Sequence, residues 1–199
     1  MKKTSQTVNN FKLAGQIPYN DLFIGNRIPR DFFITKGCGE SDISVHAGSY
    51  HLALKNAGIE KANIVTYSSV LPSIANQIEN PDEIVFGSVM ETIMAVAHGK
   101  KYELLSAGIK FGWLYQRATE EKFGGLVCEY SGNCSEDELE KILSACLLEL
   151  YENGFEDEYK LKDEQLIKRS FIPQKLYGTV LVSLCFMNYV YPTILKNDG

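Results

Sequence analysis

The alternation of apolar and polar positions along the chain predicts a protein built mainly of β-strands. Short runs rich in aromatic and β-branched residues, bounded by glycine, proline or polar clusters, are typical of strands. The first such run, 31–36, ends at Gly37-Cys38-Gly39. The other predicted strands are 63–67, 84–97, 107–115, 124–130, 166–171 and 177–186.

Two helices interrupt this pattern. Ser135 and Glu138 form a capping box, and Asn153-Gly154 supplies a stop signal. The apolar stripe between these signals consists of Leu139, Ile142, Leu143, Cys146 and Leu150. A shorter helix is predicted over 49–57, with Ser49 as its cap and Gly58 as its end. Many strands with few helices indicate the α+β class, a sheet sandwich rather than a βαβ fold.

The N-terminal segment differs from the rest of the chain. It is polar and carries Pro18 and Pro29, so we expect an arm over residues 1–30 and a single domain over 31–199. No signal-peptide core and no apolar run of membrane-spanning length occurs. The sequence therefore favours a soluble cytoplasmic protein without a membrane partner.

Charge and cysteine content narrow the class of partner. The net charge of -5 argues against nucleic-acid binding, which favours a basic surface. The 5 cysteines are odd in number and show no CxxC spacing, so a disulfide framework or zinc site is not expected. Reduced thiols agree with a cytoplasmic location.

Common catalytic motifs are missing from the sequence. It contains no GxSxG, GxGxxG or GxxxxGK[ST] pattern. Two weaker hypotheses stay open: a phosphate-binding loop (a phosphate cradle) at Gly37-Cys38-Gly39, and a metal site built from Glu40, Asp42 and His46. A strand exit and solvated loop carboxylates are the commoner explanations of these two patterns.

The segment around Ser68 and Ser69 carries the most specific chemistry. The two hydroxyl residues follow an apolar strand and precede Val70-Leu71-Pro72. In a regular strand Asn63 and Ser69 would share a face because their separation is even. The Asn63 amide would then donate to the oxyanion that forms when Ser69 Oγ attacks the Ser68 carbonyl. Elimination of the resulting ester leaves dehydroalanine, and hydrolysis gives a pyruvoyl group and ammonia.

Several motifs around this serine pair occur together and in order. They are NAGI-x3-NI-x3-SSVLP, G-x-V-x-E-x-IMA, GGLVCEY and the tail 174–188. In this combination the chain resembles the pyruvoyl-dependent arginine decarboxylases. The resemblance implies an αββα sandwich of mostly antiparallel sheets, self-cleaved into a β chain 1–68 and an α chain 69–199. It also implies a homo-oligomer, a trimer or trimer multiple, with active sites between protomers.

The same resemblance assigns roles to individual residues. Ser69 becomes the pyruvoyl cofactor and Ser68 the new C-terminus, with no pyridoxal phosphate and no metal. Asn63 lies near the cleaved bond and the substrate. The cofactor forms a Schiff base with the substrate amine, and Glu129 returns a proton after CO2 leaves. We expect loss of Glu129 to impair turnover more than processing. A strand carboxylate facing water is the alternative reading of Glu129.

The substrate pocket is where the sequence departs from the family. The family places an aspartate for the substrate guanidinium where this chain has His51. A neutral histidine cannot replace that charge pairing. Leu54 remains a pocket residue by resemblance, and Glu40 or Asp42 are candidate replacement carboxylates. A misaligned segment, or a His51 that is only a surface residue, would also explain the difference.

The preferred function is conversion of L-arginine to agmatine and CO2. Decarboxylation of another amino acid, such as histidine or ornithine, is the first alternative. A non-catalytic oligomer of the same fold is the second, and a protein that processes itself without decarboxylating is the third. The partner in the preferred case is a small amino acid.

Overall fold

The structure is a computed structural model that describes residues 25–192. Within the described residues, contacts set Pro29–Tyr189 apart as one compact unit. Residues 1–24 of the predicted arm lie outside the described part of the chain. The helices are a π-helix (Val45–Tyr50), α1 (His51–Ala57) and α2 (Glu136–Glu152). The strands are β1 (Ile28–Pro29), β2 (Asp31–Ser41), β3 (Asn63–Thr66), β4 (Val70–Pro72), β5 (Asn76–Gln77), β6 (Val89–Lys100), β7 (Leu105–Gln116), β8 (Lys122–Gly132), β9 (Tyr159–Phe171), β10 (Tyr177–Phe186) and β11 (Tyr189–Val190).

Two sheets make up the compact unit. The first has five strands in the order β3-β6-β10-β2-β5, and the second has four in the order β4-β8-β7-β9. All pairs in the second sheet are antiparallel. The first sheet is antiparallel at its centre and parallel at both edges, where β3 joins β6 and β5 joins β2.

The main hydrophobic core lies between the two sheets, because each presents a buried apolar face to the other. Core residues from both sheets include Phe32, Ile93, Phe111, Val127, Val180 and Val182. Helix α1 covers the outer face of the five-stranded sheet through Ala53, Leu54 and Ala57. Helix α2 covers the outer face of the four-stranded sheet. This layering confirms the predicted αββα sandwich.

Helix α2 begins as the sequence predicts. The Ser135 hydroxyl accepts a hydrogen bond from the Glu138 amide at 3.3 Å, and the Glu138 carboxylate accepts one from the Ser135 amide at 2.8 Å. The predicted stripe is only partly right, since Leu139, Leu143 and Leu147 are the buried positions. Leu150 lies on the same helix face, seven residues after Leu143, but it is 44% exposed in the last turn of the helix.

Helix α1 ends at Gly58 as predicted, in the left-handed conformation with φ 75°. Its start is different, because the π-helix precedes it and Ser49 is not a cap. The buried Ser49 hydroxyl instead lies 2.8 Å from the Thr179 hydroxyl on β10. This bond fixes the π-helix to the central strand of the five-stranded sheet.

The first predicted strand is too short, and Gly37-Cys38-Gly39 is neither its exit nor a phosphate cradle. Strand β2 continues through these residues to Ser41. A Cβ on Gly37 would collide with the Ala53 carbonyl oxygen, and one on Gly39 with the Ser49 carbonyl oxygen. The glycines therefore allow the helical segment to lie directly on the strand.

Strand β9 also begins earlier than the predicted 166–171. Its first half, which includes Lys160, Asp163 and Glu164, is polar and exposed or half-buried. Pairing with β7 holds this half in the sheet. No helix among residues 25–192 has the length and hydrophobicity needed to cross a membrane.

Candidate active site

Ser68 and Ser69 lie where the chain crosses from one sheet to the other. Strand β3, which precedes them, is an edge strand of the five-stranded sheet, and β4, which follows, is an edge strand of the four-stranded sheet. Strand β3 ends at Thr66, one residue before the predicted end, so no regular strand joins Asn63 to Ser69. The even spacing of Asn63 and Ser69 consequently carries no information about a shared face.

Backbone hydrogen bonds fix the crossing on both sides. The Tyr67 amide donates to the Thr92 carbonyl on β6 at 2.7 Å. The Val127 amide on β8 donates to the Ser69 carbonyl at 3.0 Å. The peptide bond between Ser68 and Ser69 thus lies between one attachment to each sheet.

A third backbone bond closes a tight turn at the serine pair. The Val70 amide donates to the Ser68 carbonyl oxygen at 3.2 Å. A bond between residues two apart defines a three-residue turn, here centred on Ser69. The carbonyl that a Ser69 nucleophile would attack is therefore already polarised by a backbone donor.

The Ser69 side chain contacts a carboxylate. Its hydroxyl donates to Glu129, with Oε1 at 3.1 Å and Oε2 at 3.0 Å. Ser69 is half-buried, whereas Ser68 and Glu129 are exposed in the single chain. A hydroxyl bonded to a carboxylate is the arrangement that a general base needs to accept a proton from a nucleophile.

Alternation along β8 explains why Glu129 meets Ser69. Val127 and Ser131, two positions to either side, face the five-stranded sheet: Val127 is buried in the core and the Ser131 hydroxyl donates to the Val96 carbonyl at 2.7 Å. Glu129 shares their face because side chains alternate across a strand. Cys128 faces α2 instead, and burial raises the pKa of its thiol to about 12, which keeps it protonated.

Asn63 lies at the start of β3 and is exposed. Its side-chain amide donates to the Gly87 carbonyl at 3.0 Å, in the loop before β6. This bond fixes the entry to β3 and directs the amide to Gly87 rather than to the Ser68 carbonyl. The expected role of Asn63 at the cleaved bond stays a prediction.

His51 and Leu54 both lie on α1. His51 is the exposed first residue of the helix, and Leu54 is buried in the cluster beneath it. Within residues 25–192, no hydrogen bond or ion pair links either residue to Ser69 or Glu129. Their assignment to a substrate pocket likewise stays a prediction.

Glu40 and Asp42 bind backbone amides of the loop before β10. The Glu40 carboxylate accepts from the Gln174 amide at 2.6 Å, and the Asp42 carboxylate accepts from the Leu176 amide at 3.2 Å. Both carboxylates thus stabilise the loop before β10, which is a structural role independent of substrate binding. In the described part of the chain, no group of three potential ligands, including these two with His46, is arranged to hold a metal ion.

The fold and this serine turn define a two-sheet domain whose candidate nucleophile, Ser69, lies where the chain crosses between the sheets. Residues 31–191 match the profile of the pyruvoyl-dependent arginine decarboxylase family. The chain is 34% identical to pyruvoyl-dependent arginine decarboxylase 1 of Archaeoglobus fulgidus, over 54% of this chain and 68% of the relative. It is 28% identical to a probable pyruvoyl-dependent arginine decarboxylase of Chloroherpeton thalassium, over 76% and 89%. A relative in Methanococcoides burtonii named pyruvoyl-dependent arginine decarboxylase is 41% identical, over 34% of this chain and 38% of the relative.

The chain belongs to the pyruvoyl-dependent arginine decarboxylase family. The motifs that carry the sequence resemblance lie at the serine turn, on β6, on β8 and on β10. Sequence reasoning missed the backbone groups of Thr92, Val70 and Val127 that hold the turn. No side-chain pattern reports on such groups, so only the fold reveals them.

Proposed function

We propose that the protein cleaves its own chain between Ser68 and Ser69 and then decarboxylates L-arginine to agmatine and CO2. The observation that carries the proposal is the hydrogen bond from the Ser69 hydroxyl to Glu129 beside the Ser68 carbonyl. Family membership supplies the cofactor type and the substrate. The hydrogen bond that polarises the Ser68 carbonyl supports cleavage at this peptide bond.

The proposed self-cleavage uses only groups of this chain and water. Ser69 Oγ attacks the Ser68 carbonyl carbon while Glu129 accepts the hydroxyl proton. The C–N bond then breaks, the Ser69 nitrogen takes up a proton, and an ester joins the two residues. Loss of the Ser69 Cα proton breaks the ester, which leaves the Ser68 carboxylate and dehydroalanine. Water finally replaces the nitrogen on Cα of the dehydroalanine, which releases ammonia and leaves the pyruvoyl ketone.

The residues at the turn fit a pyruvoyl group derived from Ser69. Position 69 is half-buried, and its own carbonyl accepts a hydrogen bond from the Val127 amide on β8, so a new chain end there would stay in place. A bound pyruvoyl group supplies an electron sink for the charge left when CO2 departs. Glu129, already within hydrogen-bond reach of position 69, is the chain's donor for the proton that returns to the substrate carbon.

The activity is tested by incubating the purified protein with L-arginine labelled at its carboxyl carbon. We expect labelled CO2 and agmatine in equal amounts. Histidine and ornithine, assayed in the same way, test the alternative substrates. CO2 from either of them, with none from arginine, would overturn the arginine assignment but keep the decarboxylase.

The exchange of His51 for aspartate tests whether position 51 contacts the guanidinium group of the substrate. His51→Asp adds the carboxylate that the family uses for the guanidinium, and a charge-assisted pair contributes about 1.5–3 kcal/mol. We expect kcat/KM for arginine to rise by about tenfold or more, chiefly through KM. The matched control is His46→Asp, which introduces the same charge at another exposed histidine. An equal gain in both variants would show a general charge effect and contradict the pocket assignment.

We also propose that the protein is a homo-oligomer, a trimer or a multiple of one. Apolar side chains are exposed on the edge strand that leads to the serine turn and beside its start: Val65 on β3 by 45%, Val89 on β6 by 65%, and Phe86 in the loop before β6 by 87%. Exposed apolar surface of this kind is typical of protein interfaces.

A charge at Val89 is expected to separate the protomers. Val89→Glu places a carboxylate in the proposed interface. Because removing this charge from water costs free energy, association should be disfavoured, and the mass measured under native conditions should fall to that of a single protomer. Activity should fall with the mass. The control is Leu148→Glu, because Leu148 on α2 is also exposed, by 49%, but lies away from the site. A Val89→Glu protein of unchanged mass and activity would contradict this interface.

A further inference from the structure

We propose that the backbone amide of Val70 is the oxyanion donor for the self-cleavage. This inference rests on the proposed function, and it names a group that no side-chain motif reports. The Val70 amide lies 3.2 Å from the Ser68 carbonyl oxygen, the atom that becomes negatively charged when Ser69 Oγ attacks. Donors placed where charge develops in the transition state are commonly the largest single contribution to catalysis of acyl transfer.

The register of the four-stranded sheet leaves this amide available. Ser69 and Val127 form a hydrogen-bonded pair, because the Val127 amide donates to the Ser69 carbonyl. Hydrogen-bonded and non-bonded pairs alternate in an antiparallel ladder, so the next pair, Val70 with Leu126, is non-bonded. The Val70 amide is thus not required by the sheet and turns towards the edge, where it meets the Ser68 carbonyl.

The rest of the turn prevents this donor from moving away as the reaction proceeds. The Tyr67 amide is bound to the Thr92 carbonyl on one sheet, and the Ser69 carbonyl is bound to the Val127 amide on the other. The Ser68 carbonyl lies between these points and cannot rotate freely. The Asn63 side chain, which bonds the Gly87 carbonyl, does not compete for this position.

The division of labour in the first step follows from these contacts. Ser69 Oγ forms a bond to the Ser68 carbonyl carbon and gives its proton to Glu129. The carbonyl π electrons move to the oxygen, where the Val70 amide stabilises the charge. As the oxygen reforms its double bond, the C–N bond to Ser69 breaks and the nitrogen is protonated. The Val70 amide keeps its own proton throughout.

Replacement of this one amide by an ester tests the proposal. The full chain is made by cell-free translation with the hydroxy-acid analogue of valine at position 70, which removes the N–H and keeps the side chain. We expect the appearance of the 1–68 and 69–199 chains to slow by about 10²–10³-fold. Val70→Ala keeps the N–H and should process within about threefold of the native rate, since a surface substitution perturbs little. An ester at the exposed Ile74 controls for the backbone change itself.

The outcomes separate this inference from the proposed function. Native protein that is never cut overturns the proposed function. Native protein that is cut, with the position-70 ester cut at the same rate, overturns the Val70 assignment alone. Equal slowing in Val70→Ala also overturns it, because the side chain rather than the amide would then be responsible.

A second measurement does not depend on the folding of the ester variant. In the uncleavable Ser69→Ala chain, the Val70 amide should exchange with deuterium at least about tenfold more slowly than in an unstructured peptide, because it is hydrogen-bonded. The side chain of Val70 is 63% exposed, so burial does not account for such protection. Exchange at the unstructured rate would contradict the assignment.

Discussion

Ser69→Ala is expected to abolish both chain cleavage and decarboxylation. Alanine has no oxygen to attack the Ser68 carbonyl, so no ester forms and no pyruvoyl group can appear. The protein should migrate as one full-length chain on a denaturing gel and release no CO2 from arginine. Because Ser69 contributes one hydroxyl at a half-buried turn, the fold should survive and the melting temperature should change little.

The matched control for this experiment is Ser73→Ala. Ser73 follows the same strand and is exposed, so its hydroxyl has no expected part in the chemistry. This variant should cleave and turn over as the native protein does. Two chains from Ser69→Ala would move the cleavage site elsewhere and remove Ser69 from the mechanism.

Glu129→Gln is expected to slow turnover by about 10²–10⁴-fold, the usual contribution of a general acid or base. Glutamine keeps the shape and an acceptor for the Ser69 hydroxyl but cannot take up or release the proton. The sequence alone predicts a larger effect on turnover than on processing. The direct contact with the Ser69 hydroxyl extends the expected role, so processing should slow as well.

The two effects are separated by time. Processing happens once per chain, so a long incubation should yield cleaved Glu129→Gln protein whose turnover is then measured per pyruvoyl group. Glu121→Gln, an exposed carboxylate just before β8, is the control and should behave as native. Normal turnover of cleaved Glu129→Gln would remove Glu129 from decarboxylation, and normal processing would remove it from the self-cleavage.

The sequence predicts elements whose signals are local. The capping box at Ser135 and the left-handed stop at Gly58 depend on neighbouring residues, and both predictions are confirmed. The first half of β9 is missed because its charged residues carry no strand period, and only the pairing with β7 holds it in place. The full length of β2 is missed for a related reason. Gly37 and Gly39 are typical of a turn when judged from sequence, but here they permit close contact with the helical segment.

The candidate site depends on contacts that are distant in sequence. Ser69 and Glu129 are 60 residues apart, and no periodicity links them. Resemblance to a family brings both into one hypothesis, but the hydrogen bond between them requires the two-sheet fold. The expectation that Asn63 and Ser69 share a strand face is wrong because the fold separates them. It assumes one straight strand where the chain in fact changes sheets after Thr66.

The central claim is that the backbone between Ser68 and Ser69 breaks and leaves a ketone on the second chain. The most direct test is the intact mass of the purified native protein under denaturing conditions, with and without a hydrazide reagent. We predict two masses, for residues 1–68 with a free carboxylate and for 69–199 with an N-terminal pyruvoyl group, and only the second should gain the mass of the reagent. A single mass for the uncut chain, unchanged by hydrazide, would contradict the account.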